Sequence, residues 1–310
     1  MVVRNMKKLT GLRRFLFSPM GIAIVLLWVV YAVLTFLAPQ SATSREQFGL
    51  SATMIVFLQL SIALPYLVLW VSVGYSAACL RQITESSLRI FAKYFSWALY
   101  VLLAGMILPT FLSTTRNIIH ENQNIVVPLT ILLNLVYAIF PIIGYWLMCL
   151  GLQTPSPTTH QGRLFSRNQF MQAVGSALVI AMPFIWFVFT NVNRRVTLSP
   201  NMPATYYLSD PFIVLLVILP TIVGWALGLL VAFRASDAFS LSGGREDVDF
   251  FNGIFLIVLS SIFLQGLISI GSQRLFSLGL ATILFLIYLF IVFQLIGYIT
   301  LTRNVRKLLD

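Results

Sequence analysis

Charge is what this sequence has least of. Charged residues make up 9% of its 310 positions, only nine of them acids, while 59% are hydrophobic and the mean hydropathy is +0.92. Soluble domains carry about 25% charged residues. A water-soluble fold of this size could not hide so large an apolar excess, whereas a bilayer is itself an apolar solvent. Cysteine and histidine are scarce too, with two of each. Cys79 and Cys149 fall near the cytoplasmic ends of predicted spans, where thiols stay reduced, which argues against a structural disulfide. His120 and His160 lie in loops on opposite predicted sides of the membrane, so no Cys–His metal set is expected. The patterns G-x-x-x-x-G-K-[ST], H-E-x-x-H and G-x-S-x-G are all missing. With no nucleophile–base set in view, the chain is not read as an enzyme, and neither a cofactor nor a metal is expected.

What remains is a series of long uncharged stretches. They run between Glu46 and Arg81, Lys93 and Arg116, Glu121 and Arg163, Arg167 and Arg194, Asp210 and Arg234, Asp249 and Arg274, and Arg274 and Arg303. Each can hold the roughly 20 apolar residues that a spanning helix needs. Predicted spans are 19–38, 53–77, 94–113, 125–150, 170–190, 211–233, 251–272 and 276–302. Continuous apolar runs without period-two alternation select helices over barrel strands. The fold class is therefore an all-α integral membrane protein with about eight transmembrane helices. With the N-terminus inside, fifteen of the twenty Lys and Arg residues fall in cytoplasmic segments, as the positive-inside bias requires. Both termini are then cytoplasmic, in a multi-pass protein of the cytoplasmic (plasma) membrane. Ala38-Pro39-Gln40-Ser41-Ala42 resembles a signal-peptide cleavage site, but the apolar run before it is too long for one, and a retained anchor is favoured. The net charge of +11 is spread around the spans and forms no basic domain, which excludes nucleic acid as a partner.

The spans repeat in order. Leu64-Pro65 with Trp70 in the second matches Leu219-Pro220 with Trp225 in the sixth. Tyr94-Phe95 opens the third as Phe250-Phe251 opens the seventh. Thr130-Ile131-Leu132 and Ile143-Gly144-Tyr145 in the fourth match Thr282-Ile283-Leu284 and Ile296-Gly297-Tyr298 in the eighth. The expected organisation is a tandem duplication of a four-helix unit. The first repeat is 1–150 with its basic N-terminus, 151–169 is a cytoplasmic linker, and the second repeat is 170–310 with a short cytoplasmic tail. An even number of spans per unit makes the repeats parallel, with ligand sites expected where they meet.

Ionisable residues inside a membrane are functional suspects, and the predicted spans hold none, which disfavours ion-coupled transport and intramembrane acid–base chemistry. The candidate ligand-binding residues are instead neutral: Asn134 and Gln294, deep in the duplicated fourth and eighth spans, with Tyr145, Tyr298, Trp70 and Trp225. Their structural alternative is interhelical hydrogen bonding and packing. Pro65 and Pro220 are expected to kink their helices. Gly224 and Gly228 form a G-x-x-x-G that favours close helix packing. Asp247-Val248-Asp249 could hold a divalent cation, but a solvated loop is the simpler reading.

These features point to a carrier, or the membrane subunit of a transport assembly, for an uncharged or lipid-like solute. The alternative is a sensory or signalling module, or an assembly scaffold, acting through a cytoplasmic partner. The expected partners are the lipid bilayer, a protein docking at the loop 235–250 or the C-terminal tail, and further copies of the chain.

Overall fold

The computed structural model describes residues 11–37, 52–83, 86–119, 123–152, 167–191, 211–240, 252–253, 255–260 and 280–307, and every regular element among them is helical. After a helical turn at 11–16, Ser18 begins the first long helix. Its hydroxyl accepts the Gly21 N–H at 3.2 Å, and Pro19 takes the first helical position, where a missing N–H costs nothing. The long helices are α1 (Pro19–Leu37), α2 (Ala52–Arg81), α3 (Ser86–Ile118), α4 (Gln123–Gly151), α5 (Arg167–Asn191) and α6 (Pro211–Ser240). They are followed by α7, described over 252–253 and 255–260, and α8 (Leu280–Lys307).

Most helices begin close to the apolar runs, and several extend beyond them. α3 starts at Ser86, well before the predicted span at 94, and α6 runs to Ser240. Hydropathy marks where a helix is apolar, whereas the helix itself continues until its hydrogen bonding is interrupted. Prolines do not interrupt it: Pro65, Pro109, Pro128, Pro141 and Pro220 all lie inside helices. Such a proline costs about 3 kcal/mol in an isolated helix. Here neighbouring helices supply contacts, as where the Trp28 indole N–H donates to the Ala63 carbonyl at 2.7 Å beside Pro65.

Two stretches, Ala63–Arg81 and Arg89–Thr115, are long and apolar enough to cross a membrane. Shorter apolar stretches lie within α1, α4, α6 and α8. Much of the outer surface is apolar as well. Leu26, Val29, Val30 and Val33 face outward on α1, Val179 and Met182 on α5, and Val292, Ile296 and Ile299 on α8.

One continuous core draws residues from every helix, with Trp70, Phe95, Met148, Leu230 and Tyr298 among its fully buried members. In sequence order, α1 packs on α2, α2 on α3, α3 on α4, and α5 on α6. Two further contacts join distant parts of the chain: α6 lies against α4, and α8 lies against α2.

Candidate functional site

The point where α2, α4, α6, α7 and α8 converge is set by glycine. An added Cβ at Gly297 would lie 2.7 Å from Ile257 Cγ1 and 2.9 Å from the Gly253 carbonyl, so α8 and α7 touch backbone to backbone. At Gly144 a Cβ would lie 2.8 Å from the Leu102 side chain and 3.5 Å from the Ala98 carbonyl, bringing α4 close to α3. Each of these glycines is followed by a tyrosine that turns into the interior. Tyr145 is 3% exposed and Tyr298 fully buried. Gly228 makes the space for Tyr145, since a Cβ there would meet its ring at 3.1 Å and Val258 at 2.9 Å. Gly224 faces Ile142 and the Ala138 carbonyl of α4 at ordinary contact distances of 3.6 and 3.8 Å.

The polar groups around this point are neutral. Gln294, fully buried, donates its side-chain N–H groups to the Ile257 carbonyl at 2.8 Å and to Ser260 Oγ at 2.7 Å, tying α8 to α7. One turn from Tyr298, Thr302 donates to its carbonyl at 2.7 Å and shares a hydrogen bond with Ser76 on α2. Ser76 also approaches the Tyr298 carbonyl at 3.5 Å. The Tyr298 hydroxyl has no hydrogen-bond partner among the described residues. No acidic or basic side chain is buried among the described residues. The side-chain polar groups here are hydroxyls and an amide.

Of the sequence-predicted residues, Tyr145, Tyr298 and Gln294 come together here. Trp70 is fully buried but faces elsewhere, its ring 6.0 Å from Tyr31 and 6.4 Å from Tyr66, between α1 and α2. Trp225 is 4% exposed in the same continuous core. Asn134 lies in α4, but its side chain falls outside the described residues, as do His120, His160 and the loop bearing Asp247 and Asp249. Pro65 and Pro220 occupy the middle of α2 and α6. Cys79 and Cys149 are buried, and neither forms a disulfide. The sequence does not single out Ser76, Ser260 or Thr302. A serine or threonine in an apolar helix carries no mark of whether it bonds its own backbone or a neighbour.

Neither a family model, nor a curated protein, nor a solved structure matches this chain.

Proposed function

We propose that this chain is a multi-pass membrane protein of the cytoplasmic (plasma) membrane, crossing eight times with both termini inside. In this reading it is a carrier, or the membrane subunit of a transport assembly, for an uncharged or lipid-like solute. The outward apolar face supports the membrane setting. Val179 and Met182 keep 69% and 68% of their surface exposed, and such residues recur on successive turns of several helices. Soluble monomers rarely leave apolar patches of more than a few hundred square ångströms open to water. Helices that are apolar on every side belong in a core or a bilayer.

Helix packing supports two parallel repeats. If α1–α4 and α5–α8 are copies, then α1 on α2 corresponds to α5 on α6. The contact of α2 with α8 likewise corresponds to that of α6 with α4. Reciprocal exchange of partners is what two copies related by an axis along the membrane normal produce. The observation that carries the functional reading is the burial of both Tyr145 and Tyr298. They follow the matched Gly144 and Gly297, in an interior where no charged side chain is buried among the described residues.

The test is native mass spectrometry of the protein in nanodiscs prepared from its own host, for wild type and for Tyr298→Phe. An uncharged small molecule or a specific lipid at fixed stoichiometry, weakened in the variant, is the expected result. A stoichiometric protein partner with no small molecule would favour the second reading, a signalling module or scaffold. That reading has its own support: α8 runs as one helix through Lys307, and the Ser76–Thr302 contact couples its last turns to α2.

A further inference from the structure

The cytoplasmic ends of α2 and α3 carry a feature that the solute site does not use. Arg81, the last residue of α2, lays its guanidinium over two rings of α3, 5.0 Å from the centre of Trp97 and 4.8 Å from that of Tyr100. The rings themselves meet edge to face at 6.2 Å. The register that allows this is fixed nearby. The Ser96 hydroxyl donates to the Ala77 carbonyl at 3.0 Å, one helical turn before Arg81 and one residue before Trp97. On α3, residues Ala92, Phe95, Ser96 and Leu99 are buried, so Arg89, Lys93 and Trp97, at four-residue spacing, share the opposite, exposed face. Trp97 is 49% exposed. The acid of this stretch, Glu85, lies outside the described residues. Even counting it, bases outnumber acids three to one between 81 and 100.

A cation stacked on aromatic faces keeps its N–H edge for another partner, and guanidinium matches phosphate oxygens in a two-pronged fashion. Tryptophan and tyrosine favour the depth of lipid headgroups. From Arg89 to Trp97 the stripe climbs about 12 Å, at 1.5 Å per residue, from the water side towards the acyl region. We infer that the Arg81–Lys93–Trp97 surface at the α2–α3 junction is a binding site for one anionic glycerophospholipid of the cytoplasmic leaflet. Arg81 and Lys93 hold its phosphate, and Trp97 and Tyr100 pack beside the glycerol backbone. This inference rests on the membrane reading given above, but not on the solute or carrier part of it.

The experiment uses the full-length protein in nanodiscs of equal phosphatidylglycerol and phosphatidylcholine with matched chains. Lipids retained on gentle activation are counted by native mass spectrometry. One retained phosphatidylglycerol per chain is expected, in preference to phosphatidylcholine. Each lost cation weakens the attraction about fivefold. Arg81→Gln with Lys93→Gln therefore lowers retention more than tenfold, and Trp97→Leu lowers it without changing charge. Arg303→Gln, which removes an exposed base at the end of α8, should leave retention unchanged. Inorganic phosphate at millimolar concentration should not compete. Equal retention of the two lipids, an equal loss in Arg303→Gln, or displacement by phosphate would each overturn the inference. Stable incorporation without lipid preference defeats this inference alone. Failure of the wild type to enter nanodiscs defeats the membrane reading with it.

Discussion

Gly297→Ala should be among the most damaging single-methyl additions in this protein. The added carbon would sit 2.9 Å from the Gly253 carbonyl and 2.7 Å from Ile257 Cγ1. A comfortable contact needs about 3.5 Å, so α7 and α8 must separate by roughly half an ångström. The isoleucine can move its methyl group, but the carbonyl belongs to backbone and cannot yield alone. Overpacking of this kind costs about 1–3 kcal/mol. The Gln294 hydrogen bonds across the same helix pair, at 2.7 and 2.8 Å, would stretch with it. The control is Gly175→Ala on α5, where a Cβ meets nothing within 4 Å. There the gain in helix propensity should stabilise by about 0.5–1 kcal/mol. Gly228→Ala falls between, because the atoms it meets are side chains, and Gly224→Ala should be nearly neutral. Unfolding in mixed micelles by titration with sodium dodecyl sulfate, followed by helicity, gives the ranking. Equal midpoints for Gly297→Ala and Gly175→Ala would refute the close-contact argument.

Three other outcomes follow from the same interior. Gln294→Leu removes two interhelical hydrogen bonds and should cost about 1–2 kcal/mol in the same titration, against a membrane average of about 0.6 kcal/mol per bond. A double-mutant cycle on Ser76→Ala and Thr302→Ala should give a coupling of about 0.6 kcal/mol, and a coupling of zero would mean the two hydroxyls do not bond across α2 and α8. Cys79 and Cys149 are buried, so a small maleimide should label both slowly in nanodiscs and rapidly in sodium dodecyl sulfate, as read by intact-mass shifts.

Helix positions were largely legible because hydropathy is a one-dimensional property. The apolar runs at 19–38, 125–150 and 170–190 lie within three residues of the limits of α1, α4 and α5. What hydropathy cannot say is which side of an apolar helix faces a neighbour, since every side is apolar. That choice is made by small residues and by hydrogen bonds whose acceptors are backbone carbonyls, and a carbonyl has no letter of its own in a sequence. Gln294 was visible as an expensive amide in an apolar run, but its acceptor on Ile257 was not. The recurrence of Ile-Gly-Tyr was visible as a match between distant segments, but not that Gly144 packs against Leu102 and Gly297 against Ile257. Arg81 is the clearest case. In sequence it counts as one more cytoplasmic base, equivalent to Arg303. In the fold it is stacked on Trp97 and Tyr100 while Arg303 is simply exposed. The difference is the Ser96–Ala77 hydrogen bond that fixes the register of α2 on α3. Counting charges cannot tell these two arginines apart, whereas the proposed lipid site needs charge held in register with an aromatic face. The Arg81 and Arg303 variants separate those two effects.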